Sequence, residues 1–207
     1  MPYAASSTPA RSSETRWTPA LGRVTVGGMD IELRPLTVAD AAAHCAGEDE
    51  ETVRWLTGGY GSVEGTKAHF ESMDRRAEAG DRKRGLGVWM SGRLCGYVDY
   101  DPDHADGMEE QDVNIAFAVH PWARGQGVAV EAVRLICATI RETGVGLRAA
   151  LKIEPENTAS VRVAEKAGFR HVRDFASTDD THADGTPKTF RLYLLDLEQT
   201  EQTALPT

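Results

Sequence analysis

From about residue 30 onward the hydrophobic positions fall in short blocks whose spacing switches between a period of two and one near 3.6, the marks of strands and helices in alternation. IELRPLT (31–37) predicts a first strand, with Thr37 set to cap a helix. GEDEETVRWLTGGYGS (47–62) mixes five charged positions with Trp55 and Tyr60 and ends among glycines, which predicts a short helix and an exposed loop. Ser62 caps a helix running to about Ala79. LGVWM and RLCGYVDY flank Ser91-Gly92, a dipeptide suited to a tight antiparallel hairpin. DVNIAFAV (112–119) puts Val113, Ile115, Phe117 and Val119 on one face and the smaller Asn114, Ala116 and Ala118 on the other, so one face packs and the other leaves room.

VHPWARGQGVAVEAVRLI (119–136) then reads as a strand that stops at a proline, turns through two glycines and enters a helix reaching about Thr143. Ala129, Val133, Ile136 and Ile140 form its apolar stripe. GLRAALKI (146–153) predicts a strand, and NTASVRVAEKAGF (157–169) a helix capped by Asn157 and closed by Gly168, after which Phe169 restarts an extended run. A polar loop is expected over 177–187, and KTFRLYLLDL (188–197) closes the fold as a long strand. Strand, helices, three antiparallel strands, helix, strand, helix and two strands describe a mixed α/β sheet.

With 207 residues, 41% of them hydrophobic, one folded domain is expected over 23–198, between polar tails at 1–22 and 199–207. The formal charge of -9 argues against nucleic acid as a partner, because an overall negative field repels a polyphosphate. Cys45, Cys95 and Cys137 are too few and too scattered for a disulfide framework or a CxxC metal site, and they read as ordinary buried thiols in a reducing compartment. The first twenty residues lack the apolar run of a secretory signal, and no apolar stretch is long enough to span a bilayer, so a cytoplasmic location with no membrane contact is expected. The histidines show no ligand spacing and HExxH is absent, so no metal is assigned.

The glycine turn carries the chemistry. It lacks the GxxxxGK[ST] of a P-loop, and Val130 stands where the third glycine of a Rossmann fingerprint belongs. What remains is Arg124-Gly125-Gln126-Gly127-Val128-Ala129, whose small residues admit close approach of a ligand to a helix N-terminus, where bare N–H groups and the dipole favour an anion such as a diphosphate. On local sequence alone, a plain strand-to-helix turn explains the same residues equally well.

The wider pattern resembles the GNAT superfamily of N-acetyltransferases. Arg124, Gly127 and Ala129 match its acyl-CoA pattern [Q/R]-x-x-G-x-[G/A]. Asn157, Ser160, Lys166, Gly168 and Phe169 match the N-x-x-S-x-x-x-x-x-K-x-G-F segment of the branch that includes the ribosomal-protein acetyltransferases RimJ and RimL. The similarity covers roughly residues 30 to 197, including LRPLTVAD, GRLCGYV and DGTPKTFRLYLL.

The resemblance implies the acyl-CoA N-acyltransferase fold, a mostly antiparallel sheet splayed between its fourth and fifth strands with helices on both faces. It implies acetyl-CoA as acyl donor, with residues 124 to 129 at the diphosphate, Phe117, Ala118 and Val119 along the pantetheine arm, and Asn157 and Ser160 also at the coenzyme. A primary amine would attack the thioester directly, Ser160 supplying a proton to the leaving thiolate. Asn157 equally serves as a helix cap and Ser160 as an ordinary first-turn serine. The branch's usual strand-four glutamate is Asn114 here, and a tyrosine found elsewhere in the superfamily is replaced by Ala164, so any base must come from Asp112, Glu154 or Asp99. Trp55 and Tyr60 beside GEDEE, with Asp179, Asp180, His182 and Asp184, would favour a cationic amine if they share one mouth: a polyamine-like or aminoglycoside-like molecule, or a basic protein N-terminus. A homodimer is open to such a chain, and so is a different class of function, a coenzyme-A-binding sensor that has lost catalysis.

Overall fold

A computed structural model describes residues 22–197; the two expected tails lie outside the described residues, apart from Gly22. Eight strands form one sheet in the order β1-β2-β3-β4-β5-β6-β8-β7. In chain order these are β1 (Arg23–Val26), β2 (Met29–Pro35), β3 (Arg84–Met90), β4 (Arg93–Asp101), β5 (Asp112–Val119), β6 (Arg148–Ile153), β7 (Arg170–Thr181) and β8 (Pro187–Asp196). Every neighbouring pair is antiparallel except β5 and β6, as the mixed sheet requires.

Two strand boundaries differ from expectation. The first strand expected at Ile31 is preceded by β1, joined to β2 through Gly27-Gly28 in a hairpin. The loop expected over 177–187 is strand as far as Thr181. The reason is tertiary: Asp106 accepts hydrogen bonds from Ser177 Oγ at 2.7 Å and from the Thr178 amide at 2.9 Å, which pins a segment of poor strand propensity.

The helices divide between the faces. On one lie α1 (Ala41–Cys45), reached through a 3-10 turn at Val38–Asp40 that Thr37 opens, then α2 (Glu50–Thr52), which widens into a π-helical turn at Val53–Thr57, and α3 (Val63–Glu78). Ser62 caps α3, its hydroxyl accepting from the Gly65 amide at 3.1 Å. Leu36, Ala41, Phe70 and Leu94 form the small core beneath them. The opposite face carries α4 (Val128–Thr143) and α5 (Thr158–Ala167) over the main core. Val113 and Ile115 of β5 meet Val133, Ile136 and Ile140 of α4 in that core, as the two periodicities dictate. Cys95 and Cys137 are buried thiols whose pKa burial pushes up to about 12, while Cys45 is only half-buried, with its Sγ 3.1 Å from Thr66 Oγ1.

The parallel seam positions the site. β5 and β6 pair only over Asp112–Arg148, Val113–Ala149 and Asn114–Ala150. Beyond Asn114 each strand stays bonded to its outer neighbour, β5 to β4 through Val119 and β6 to β8 through Ile153. The sheet therefore forks at Asn114, leaving the edge of Ile115 to Val119 without a strand beside it on that side. This is the splay expected between the fourth and fifth strands, which the extra β1 renumbers as β5 and β6.

Candidate active site

Beyond the fork, β5 ends at Val119 and a 3-10 turn at Pro121–Ala123 leads to the glycines. Gly125 and Gly127 have φ of +74° and +83°, a region costly for residues with a Cβ, and a Cβ built at either would meet nothing within 4 Å. The turn is thus an open cradle rather than a packed corner. Among the described residues no acceptor is found for the amides of Gly125 to Ala129, the first backbone bond into the helix being that of Glu131 to the Gly127 carbonyl. Val128 is sunk in the core and Ala129 packs against it, so the start of a 16-residue helix is held rigid with its positive end facing out. Gln126 turns its side chain back to the Trp122 carbonyl at 3.0 Å.

Arg124 contributes differently from its neighbours. Its Nε donates to the Val119 carbonyl at 2.9 Å, and its two terminal nitrogens reach Asp49 at 2.6 and 2.8 Å. Asp49 is also the N-cap of α2, accepting from the Thr52 amide at 3.0 Å. One ion pair therefore joins the glycine turn to the segment that precedes the π-helical turn, and the hydrogen bonds from Arg124 hold the Asp49 carboxyl well below the usual carboxylate range. Gly47 lies so close to His120 that a Cβ there would fall 2.2 Å from the imidazole, which seats the same segment flush against the end of β5. Asp49→Asn keeps the cap but removes the charge. It is expected to cost about 1 kcal/mol in urea unfolding, the upper end for a part-exposed pair because the contact is bidentate. An unchanged midpoint would show that the pair adds nothing to the stability of the fold.

Against the small face of β5 lies a cavity of about 540 Å³, lined by Ala116 and Ala118, by Tyr97 and Asp99 of β4, and by α1, α3 and the π-helical turn. The β4–β5 register sets Asp99 opposite Ala116 and Tyr97 opposite Ala118, so all four project to one side. Burial drives His44, His69 and His120 toward the neutral form, His120 to about 4. The lining also includes Glu48, Asp81, Arg76 and Lys83.

The residues expected at the acceptor lie outside this cavity's lining. Trp55 does not line this cavity: its indole N–H is bonded to Glu51 at 2.9 Å and Arg54 lies over its ring. Tyr60 points to solvent, 63% exposed. Leu56 and Thr57 line the cavity in their place. Of the acidic stretch expected at the same mouth, Asp180 pairs with Lys152 at 2.8 Å, and Asp179 lines an adjoining depression that shares Arg76 and Asp81 with the cavity.

Two of the expected bases are also accounted for. Asp112, its side chain 1% exposed, receives Arg148 Nε at 2.6 Å and the Glu109 amide at 2.9 Å at the closed end of the fork, away from the cavity lining. Glu154 receives Lys188 Nζ at 2.8 Å. Neither residue lines the cavity. Asn157 caps α5, its Oδ1 accepting from the Ser160 amide at 3.1 Å, so both stand at the helix start that follows β6, and Ser160 is half-buried. Phe117 packs against the main core while Ala118 opens on the cavity, and Val119 ends the strand. Among the described residues no group of three His, Cys, Asp or Glu is placed to hold a metal ion, and no helix is long and apolar enough to cross a membrane.

Residues 30–170 match the family model of the acetyltransferase (GNAT) domain. No curated protein sequence matches significantly. Among solved structures the chain is similar to Mycobacterium smegmatis RimJ in complex with a CoA disulfide, at 20% identity and TM-score 0.70 over 85% of this chain and 86% of that one. It is similar to RimL, a ribosomal L7/L12 alpha-N-protein acetyltransferase in complex with coenzyme A, at 16% identity and TM-score 0.69 over 85% and 98%. It is also similar to the aminoglycoside acetyltransferase AAC(6')-Ib in complex with coenzyme A and kanamycin, at 15% identity and TM-score 0.65 over 80% and 94%. At these identities the structures speak for the fold.

Proposed function

The chain belongs to the GNAT acetyltransferase family, and from that premise we propose that it transfers the acetyl group of acetyl-CoA to a primary amine by direct attack, as an enzyme of the RimJ/RimL type. The observation that carries the reading is the open cradle of amides from Gly125 to Ala129 at the mouth of α4, beside the fork between β5 and β6. A diphosphate there gains fixed N–H donors and a helix dipole, and the residues present fit it: no side chain fills the cradle. From that anchor the pantetheine arm runs along the unpaired edge of Ile115 to Val119 as an added strand, bringing the thioester into the fork. Backbone N–H groups of that edge are positioned to stabilise the oxyanion that develops on attack.

The acceptor enters from the opposite side, through the cavity against Ala116 and Ala118. RimL's ribosomal protein N-terminus and the kanamycin of AAC(6')-Ib are both primary amines, and the acceptor here is taken to be a cationic amine of either kind. Free thiols and an acetyl-CoA-fed reaction accord with the cytoplasm. Release of free thiol from acetyl-CoA with an amine panel, spermidine, kanamycin and a peptide with a free N-terminus among its members, tests the reading. Tight coenzyme binding with no release on any amine would instead support a silent coenzyme-A sensor, to which the amide at Asn114 gives some motive.

Ser160→Ala is expected to lower kcat by about tenfold with the acetyl-CoA KM held within about twofold. The effect is modest because a thiolate with a pKa near ~8.5 leaves readily without full protonation. Equal kcat values in steady-state assays would remove the hydroxyl from the chemistry.

A further inference from the structure

We infer that Asp99 is the proton acceptor of the reaction, its carboxylate taking the proton from the acceptor's ammonium inside the cavity so that a neutral nitrogen can attack. The inference rests on the acetyltransferase reading and assigns a residue within it.

Elimination narrows the field first. Asn114 carries an amide, which takes no proton near neutrality, and Asp112 and Glu154 are each bound to a cation. Of the carboxylates lining the cavity, Glu48 accepts the Gly61 amide at 2.7 Å, and Asp81 is engaged by Arg76 Nε at 2.6 Å and by the Lys83 amide at 2.9 Å. Asp99 differs. Its side chain is 9% exposed, and its Oδ1 has no hydrogen-bond partner among the described residues. The nearest cation, Lys83 Nζ, stands 3.8 Å away and is shared with Asp101 at 3.5 Å, too far for a hydrogen bond to the carboxylate.

A buried carboxylate oxygen without a donor costs free energy that folding does not recover, and such a group persists where a ligand supplies the missing donor. Here the position fits that role. Asp99 lies directly across the ladder from Ala116, the small residue of β5 that walls the cavity two rungs past the fork. An ammonium reaching the fork through the cavity therefore passes the open oxygen. Tyr97, on the same face of β4, lines the cavity beside Asp99 and adds a second polar group.

The proton ledger closes without another reagent. The ammonium gives one proton to Asp99 Oδ1, and the amine lone pair attacks the thioester carbonyl carbon. The C–S bond breaks as the amide forms, the second N–H proton goes to the sulfur, and Asp99 returns its proton to water. Ammonium and acetyl-CoA thus give amide, free coenzyme thiol and one proton. Burial pushes the Asp99 carboxyl above its ordinary value, with Lys83 and Tyr97 opposing and Asp101 assisting. The α3 and α1 titratable groups that line the same cavity are Arg76, already paired with Asp81, and His69 and His44, which burial drives toward the neutral form. A raised carboxyl is a better base than a surface aspartate and is unprotonated only at a correspondingly higher pH.

Asp99→Asn tests the assignment. Expected are a fall in kcat/KM of about 100-fold or more for the amine that wild type acetylates, an acetyl-CoA Kd within about twofold, and loss of the acidic limb of the pH–rate profile. A raised folded pKa makes the charged form a burden on the fold as pH rises, so the variant should melt no lower than wild type at pH 8. Carboxyl-carbon NMR titration of the wild type, with the variant identifying the signal, needs no acceptor and should place Asp99 above the ordinary range. Turnover within about threefold of wild type, an unchanged acidic limb, loss of coenzyme binding together with activity, or an ordinary titration would each overturn the role. If wild type binds acetyl-CoA but releases no thiol with any amine, the acetyltransferase reading has failed, and an ordinary titration at Asp99 would still be needed to refute the open-oxygen argument separately; a raised one would sustain it.

Discussion

Gly127→Glu is expected to weaken coenzyme A binding by 100-fold or more in titration calorimetry while leaving a folded protein. Two effects act in one direction. Gly127 sits at φ +83° in a cradle open to solvent, so a glutamate side chain has room but projects where a ligand would lie. Its charge meets the diphosphate at a few ångströms, and like charges set together at a binding surface cost several kcal/mol, where about 2.8 kcal/mol suffices for 100-fold. The positive φ adds a smaller penalty of about 1 kcal/mol for any residue with a Cβ. Gly127→Ala carries that backbone cost without the charge, so its affinity should fall far less. Equal losses for both variants would assign the effect to backbone strain instead of electrostatics.

The second large effect concerns stability. Asp106, buried at 3% exposure, accepts from Lys152 Nζ at 2.9 Å, Ser177 Oγ at 2.7 Å and the Thr178 amide at 2.9 Å, joining the loop after β4 to β6 and β7. Burial alone would raise its carboxyl pKa, but Lys152, Ser177 and Thr178 outweigh it and hold the group well below the usual range. Asp106→Ala leaves Lys152 largely buried with only the half-exposed Asp180 opposite it. Removing one member of a buried pair costs about 3–5 kcal/mol, and the surviving partner puts this case near the lower end, about 3 kcal/mol in chemical denaturation at pH 7. Because the folded pKa is depressed, this stabilisation is present above the unfolded-chain value of 3.8 and is lost as pH falls through the folded one. The gap between wild type and variant should therefore narrow below about pH 4. A constant gap from pH 7 to pH 3 would mean that packing, not charge, holds the segment.

Local rules reached far in this chain because local physics decides those parts. Ser62 and Asn157 cap the helices that their spacing announces, Ser91-Gly92 turns the hairpin, and the alternation of DVNIAFAV sorts its residues onto the core face and the cavity face. The glycine turn was legible for the same reason: positive φ needs glycine, and an open cradle needs small residues. What local rules missed depends on partners distant in sequence. Residues 177 to 181 at the end of β7 have loop composition, and the ladder to β8 is interrupted between Ala176 and Thr181, yet the segment stays extended because Asp106, some 70 positions earlier, holds Ser177 and Thr178. Asp112 and Glu154 have the chemistry of bases, but Arg148 and Lys188, each more than 30 positions later, neutralise them.

The proposed acceptor cavity shows the same limit. A pair of aromatic residues among acids suggests a cation site, yet the rotation of the π-helical turn decides which side chain faces inward, and it presents Leu56 and Thr57 rather than Trp55. Arg124 fits the glycine pattern by residue type, but its guanidinium is spent on Asp49 and Val119. The proposed diphosphate role consequently falls on main-chain amides more than on that side chain. The arginine instead holds the cavity-side segment and the turn in a fixed relation.

A crystal structure of the protein with coenzyme A tests the central claim most directly. The account predicts diphosphate oxygens within about 3.2 Å of main-chain nitrogens between Gly125 and Ala129, and the pantetheine arm lying in the fork beside Ile115 to Val119. Coenzyme bound with its diphosphate elsewhere, and those amides facing only water, would contradict it.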